Sequence, residues 1–357
     1  MLRKRIPIFL FVLICSITGC SYEALSTSVS NDQPKYISFT VTNKIIGETE
    51  DKEFESHVFC YDLQTHDVQE VGVVPYNSQY PLTAYDRPSN KIYYSASTLK
   101  GERQHTGDQL YSLDLNTNET ERLTEGLYAI NYIIPTENEV NLIAAPLGVT
   151  GVRLYPYSWD KTSGILKNLS WDEDMMFRHV SWRPGTSELF ARTYSVSEFY
   201  RRLENQGETM FFMPDSEIYS VDMRTGAHEK LFGIESTNLI VGTDIEVFTF
   251  VNNKIIASVS EEIKDGFAVR SERGLYSYDL SDNERTIYQY GEKLKGLSQF
   301  VYISDDERYV YYISITNTDV IANTLCVYDT EEDKTDVIYE AALGFDFINN
   351  ATILADY

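Results

Sequence analysis

Five aspartates, Asp62, Asp114, Asp222, Asp279 and Asp329, sit at the same place in five similar short segments, and a repeated carboxylate suggests metal binding or acid catalysis. The segments are Val58–Leu63, Leu110–Leu115, Ile218–Met223, Leu275–Leu280 and Leu325–Thr330. A reactive site is normally built once, whereas a turn is needed in every repeat. The column therefore reads as strand-ending Asx turns, in which each carboxylate bonds its own backbone. The histidines His57, His66, His105, His179 and His228 are dispersed with no H-x-x-H or Cys/His spacing, so no zinc site is expected. There is no G-x-S-x-G nucleophile elbow, and the acidic runs Asp305–Glu307 and Glu331–Asp333 lack a calcium-loop pattern. No catalytic residue, metal or cofactor is assigned. With 54 acids in the chain, carboxylate pairs are expected mainly as solvated surface. Two acids facing each other across a loop face would be the route to acid–base chemistry.

Residue types that favour recognition gather in one segment, Ser195 to Glu217. Ser197–Glu204 predicts a short helix carrying Phe199, Tyr200, Arg201 and Arg202, and Met210-Phe-Phe-Met-Pro214 adds Phe211 and Phe212. Aromatic residues, Met and Arg are enriched at protein interfaces, so these six are the candidate ligand-binding residues. The alternative is that Met210–Met213 extends a strand and packs on a neighbouring sheet.

The elements that must hold this segment follow from the repeat. A sixth, degenerate copy is Leu154–Trp159, and with Ser158 standing in for Asp the copies recur every 44 to 64 residues. Each has a polar-tipped hairpin upstream, such as Leu82–Ser95, Val180–Ala191 or Phe300–Tyr312, and a turn such as Arg224-Thr-Gly226 downstream. That makes four strands per unit, A to D, rich in aromatic and β-branched residues. Strands such as Lys91–Tyr94 and Tyr309–Tyr312 are apolar nearly throughout and need cover on both faces. A propeller supplies it, because each blade packs between two others. The fold class is all-β, a six-bladed β-propeller of four-stranded antiparallel blades. Tyr36–Val41 is a strand B with no strand A before it, and Gly344–Ala355 looks like an A to B hairpin, so the ring is expected to close by pairing the chain's two ends. The B to C connections are long, at Lys44–Ser56, Leu99–Asp108, Ser195–Glu217, Glu261–Arg273 and Thr316–Asn323. All emerge on one face of the ring, where binding is expected. Cys60 and Cys326 fall on equivalent strands of neighbouring blades, too far apart for a disulfide, and are expected as free thiols.

The tips Trp182-Arg-Pro-Gly185 and Ile303-Ser-Asp-Asp306, with Ile218-Tyr-Ser-Val-Asp-Met-Arg-Thr-Gly226, resemble the TolB-like six-bladed propellers over residues 36–357. That resemblance implies architecture alone, since related propellers serve as scaffolds, binding modules or accessory domains of enzymes. At the other end, Arg3, Lys4 and Arg5 precede an apolar stretch, Ile6–Ile14, too short to span a bilayer. It ends in Ile17-Thr-Gly-Cys20, which resembles the lipobox of bacterial lipoproteins. The resemblance implies a signal peptide over 1–19, lipidation of Cys20 and two acyl chains, enough for stable anchoring. Residues 20–35 are then a tether. The formal charge of −24 deepens to −27 when the three basic residues of 1–19 leave, which excludes a phosphate-neutralising nucleic-acid binder. The expected partners are the membrane, through the anchor, and an unidentified envelope protein, peptide or glycan on the long-loop face. A carbohydrate- or peptide-active hydrolase or lyase with carboxylates at the propeller mouth is the alternative.

Overall fold

Turn formers recur at intervals that leave runs of three to twelve residues to pair, and the structure, a computed structural model, pairs them as six four-stranded antiparallel sheets. It describes residues 35–45, 53–97, 107–149, 153–205, 214–234, 244–265, 268–282, 284–315, 324–341 and 347–357. Blade 1 holds β1 (Tyr36–Ile45), β2 (Glu53–Asp62) and β3 (Val68–Pro75); blade 2 holds β4 (Thr83–Asp86), β5 (Lys91–Ala96), β6 (Gln109–Asp114) and β7 (Glu119–Arg122). Blade 3 is β8 (Leu127–Pro135), β9 (Glu139–Pro146), β10 (Tyr155–Asp160) and β11 (Leu166–Asn168). Blade 4 is β12 (Met175–Trp182), β13 (Glu188–Ser195), β14 (Ser216–Asp222) and β15 (His228–Ile234), with helix α1 (Val196–Asn205) between its middle strands. Blade 5 is β16 (Asp244–Val251), β17 (Lys254–Asp265), β18 (Ala268–Asp279) and β19 (Arg285–Ile287). Blade 6 is β20 (Leu297–Ile303), β21 (Tyr309–Ser314), β22 (Thr324–Asp329) and β23 (Lys334–Glu340), and β24 (Phe347–Leu354) returns to blade 1.

The chain is a six-bladed β-propeller, and β24 is the innermost strand of blade 1, in the order β24-β1-β2-β3. The C-terminal segment therefore supplies one strand where a hairpin was expected, because β1 already fills position B. The aromatic residues go between blades: Tyr36, Tyr94, Tyr111, Tyr312, Phe39 and Phe177 are fully buried. Cys60 and Cys326 are free and buried.

The Asp column is complete, with a correction in blade 3. Asp160, not Ser158, ends β10, pairs with Glu139 at the start of β9, and accepts the Thr162 and Ser163 N–H groups at 2.9 and 2.7 Å. Asp62 accepts from Gln64 and Thr65, Asp114 from Asn116 and Thr117, and Asp329 from Glu331 and Glu332 in the same manner. Asp222 and Asp279 each accept from the residue two positions on. All six are Asx turns, and none is part of a catalytic cluster.

The predicted loops also need revision. Glu261–Arg273 is not a loop: β17 and β18 pair continuously from Lys254↔Asp279 to Asp265↔Ala268. Pairing with β16 stops at Ser260 and with β19 at Tyr276, so the ends of β17 and β18 continue as a two-stranded ribbon. Likewise β1 and β2 stay paired out to Ile45↔Glu53, inside the expected Lys44–Ser56 loop. Alternation of β-branched and charged residues sustains a ladder beyond the blade as readily as within it.

On the face opposite the B to C connections, a buried polar network ties the ring ends together. Asp86, with no exposed surface, accepts from Lys161 Nζ at 2.7 Å, from the Ser89 hydroxyl at 2.6 Å and from the Tyr357 phenol. Lys161 also donates to the Thr136 carbonyl at 2.5 Å, and Arg87 bridges Asp62 and Asp356, at 2.6 Å to each. Blades 1, 2 and 3 thus hold the residues that follow β24.

Candidate functional site

The B to C connection of blade 4 carries α1, the one helix among the described residues. Ser195 ends β13 and caps α1, its hydroxyl accepting the Glu198 N–H at 3.1 Å. Asp174, in the turn leading into β12, fixes the same helix end. Its carbonyl accepts the Val196 N–H at 2.7 Å, and its carboxylate accepts the Ser197 N–H at 2.8 Å and the Ser195 and Ser197 hydroxyls at 2.6 and 2.8 Å. A carboxylate at a helix N-terminus also meets the positive end of the dipole. Val196 is buried beneath, so the helix direction is set at its first turn.

The predicted helix over Ser197–Glu204 is present, one residue longer at each end. Glu198 lies three residues after the cap, the capping-box position, but its carboxylate turns to the two arginines instead. Arg201 Nε and Nη2 and Arg202 Nε all donate to it at 2.6 Å. The two predicted cationic contacts are therefore partly neutralised by a shared acid. Arg202 reaches on toward Asp215, at 3.6 Å, while the Arg201 side chain stays exposed. Phe199 packs against Tyr194 and Tyr200, with ring centroids 5.8 and 5.5 Å apart, and Tyr200 and Leu203 are exposed. Phe211 and Phe212, and Cys20, lie outside the described residues.

A cavity of about 300 Å³ lies at the foot of the helix, lined by Asp174, Thr193, Glu198, Arg202, Asp215 and Glu217 among others. Three of its carboxylates, Asp174, Glu198 and Glu217, are held as anions. Burial raises Asp174, but its serine hydrogen bonds outweigh that and bring it below the usual range. Hydrogen bonds from Arg201 and Arg202 pull Glu198 down to about 2. Burial also raises Glu217, against a larger lowering by Lys230 and Tyr219. A general acid needs a pKa near neutrality, so these groups suit recognition better than proton transfer. Burial moves two acids the other way: it raises Glu139, at the start of β9, and pushes up to about 6 Asp108, whose Oδ2 accepts the Gln79 N–H at 3.0 Å. Asp108 starts the segment before β6 and is 2% exposed, closed off from ligand.

The central channel, about 210 Å³, is framed by the inner strands β4, β8, β12, β16, β20 and β24. Its polar lining is amide and hydroxyl: Asn131, Ser181, Thr249, Gln299, Asn349 and Asn350. Several of these groups join neighbouring strands. Asn350 Nδ2 donates to the Thr83 carbonyl at 3.0 Å, Asn349 donates to Thr42, and Ser181 Oγ accepts the Phe250 N–H at 3.0 Å. Among the described residues, no group of three or more His, Cys, Asp or Glu is arranged to hold a metal ion.

No protein-family model and no curated protein matches the chain. Solved structures do. The hydrazine synthase of Kuenenia stuttgartiensis superposes over 91% of this chain and 47% of its own at a TM-score of 0.57 and 10% identity. A nidogen/laminin complex superposes over 89% and 98% at 0.50 and 11% identity. Their common ground with this chain is the propeller. TolB from Acinetobacter baumannii is similar over 91% of this chain and 68% of its own, at 0.49 and 14% identity.

Proposed function

We propose that this protein is a lipid-anchored, extracytoplasmic binding module that engages a protein, peptide or glycan partner through the B to C face of the propeller. The observation that carries the reading is α1. A helix inserted into one blade, fastened by Asp174 and Ser195 and presenting Tyr200, Leu203 and Arg201 outward beside a cavity, has the composition of a contact surface on a rigid base. The anchor rests on Ile17–Cys20 and the basic and apolar run before it. A hydrolase or lyase reading needs an acid of raised pKa facing a second acid across the mouth. The depressed carboxylates beside α1 and the amide and hydroxyl lining of the channel favour binding.

A photo-crosslinking residue at Tyr200, compared with one at Glu137 in an A to B turn on the opposite face, tests the proposal in the native cell. Adducts formed from position 200, absent from position 137 and weakened when Arg201 and Leu203 are both replaced by Ser, are expected. Equal labelling from both faces would overturn it. Cys20→Ala should move the protein from the membrane to the soluble fraction, and continued membrane association would refute the anchor.

A further inference from the structure

The chain is strongly acidic, and many of its described cations lie against acids, among them Arg87 on Asp62 and Asp356, Lys254 on Glu307, and Arg308 on Asp329 and Glu331. Arg178 differs. It is exposed and makes no hydrogen bond or ion pair among the described residues. The register between β12 and β13 passes from Phe177↔Thr193 to His179↔Arg192, which leaves Arg178 on a bulge with no partner across the ladder. Bulges re-aim side chains, and this one is on the innermost strand of its blade. Val180, Ser181 and Trp182, further along β12, line the central channel, so Arg178 belongs to its B to C end. Four other inner strands bulge as well, β8, β16, β20 and β24, and β16 skips Glu246 between Ile245 and Val247. Asn131 is skipped between Ile130 and Tyr132 of β8, Asn349 between Ile348 and Asn350 of β24, and both line the channel.

A second cation, Arg192, lies across the ladder from the residue next to Arg178. Arg192, fully buried, donates from Nε to Ser216 Oγ at 2.9 Å, and the His179 opposite it has a buried Nδ1 without a hydrogen-bond partner. Burial first, then Arg192 and Arg178, drive His179 down to about 3, so it stays neutral. The Tyr132 phenol, pushed up by burial and lining the channel, also feels the charge of Arg178. An exposed guanidinium with no ion pair, on a chain of net charge −24, is a local attraction for anions where the rest of the surface repels them.

We infer that the B to C mouth of the channel binds an oxyanion group of the ligand, carboxylate or phosphate, with the Arg178 guanidinium as its fork and the Asn131 amide beside it. A guanidinium matches either group with two parallel hydrogen bonds. The inference goes beyond the proposed function and does not depend on α1.

The test is an NMR titration of the intact, uniformly ¹⁵N-labelled protein, with inorganic phosphate and with acetate separately, at constant ionic strength and with glycerol as a neutral control. A saturable shift of the Arg178 Nε signal and of the β12 backbone amides with either anion is expected, the amide shift being at least tenfold weaker in affinity for Arg178→Gln and unchanged for Arg224→Gln on the opposite face. Response to phosphate alone identifies a phosphoryl ligand, and response to acetate alone a carboxylate. A drift that does not saturate, or one that is the same in Arg178→Gln when read on the backbone amides of β12, overturns the inference. Should Arg178→Gln fail to fold, Arg178→Lys decides: weakened saturable binding supports the fork, and unaltered binding refutes it. Replacing residues 197–213 by a Gly/Ser linker should leave the titration unchanged, so failure of this inference and failure of the α1 reading are separable.

Discussion

Replacing Lys161 by Met should show how strongly the buried network holds the ring. Met keeps most of the aliphatic volume and removes the ammonium that lies 2.7 Å from Asp86. Asp86 has no exposed surface, and the Lys161 side chain is 16% exposed. Burial pulls Lys161 below its usual pKa and Asp86 opposes that pull, in a contact shielded from solvent. Breaking such a pair by removing one partner costs about 3–5 kcal/mol, because the remaining charge is stranded. Ser89 and Tyr357 still donate to Asp86, which places the loss near the lower end. Unfolding entropy of about 2.1 cal/mol/K per residue over about 320 residues converts this to a fall in Tm of about 4–7 °C. Calorimetry and urea titration measure it. Adding Asp86→Asn to Lys161→Met should recover part of the loss, since the stranded charge is then gone. A Lys161→Met variant that loses under about 1 kcal/mol, or a double variant that loses the sum of the singles, would refute the reasoning.

Asp108→Asn should stabilise the protein at pH 7 by about 2–3 kcal/mol. The folded pKa of about 6 exceeds the unfolded value, so the folded state binds more protons between about pH 4 and 6 and the native protein loses stability as pH rises through that window. The variant's unfolding midpoint should be flatter there, while Asn can still accept the Gln79 N–H. The six Asx aspartates work in the opposite direction: each is lowered, so their contribution is present above about pH 4 and is lost as pH falls through the folded pKa values. Acid unfolding monitored by circular dichroism should therefore steepen below about pH 4, and Asp62→Asn should soften it. Gly107→Ala should cost about 1–3 kcal/mol, since a Cβ there would lie 2.3 Å from the Leu127 carbonyl oxygen, and urea unfolding reads the loss.

The architecture was legible because a turn motif needed six times leaves six copies in the sequence. Its register was harder in blade 3, where Tyr155-Pro-Tyr-Ser-Trp-Asp160 offers Ser158 as a plausible stand-in and the true Asp comes two residues later, still on the same face of the strand. The β17–β18 ribbon was missed because alternating polar and apolar residues describe a half-solvated strand as well as a loop. The helix was readable from its composition. Its anchor was not: Asp174 is twenty-one residues before Ser195 and becomes a neighbour only when β12 and β13 pair. The arginines Arg201 and Arg202 were correctly placed on the helix, but their capture by Glu198 depends on side-chain geometry that spacing alone leaves open. Arg178 gave no signal, since a bulge is set by pairing register and not by residue type.

Blade 1 also sets an order of events in time. The contact that joins Tyr36 to Leu354 spans more than 300 residues, whereas every other blade is assembled from one continuous stretch of chain. A chain that emerges with its N-terminus first holds three strands of blade 1 with the inner edge of β1 unpaired until nearly all the rest has been made. That edge is a template for wrong partners throughout the wait, and the long separation makes the last pairing slow. Closure should therefore limit the rate of folding. The same seam is where a finished ring would first come apart.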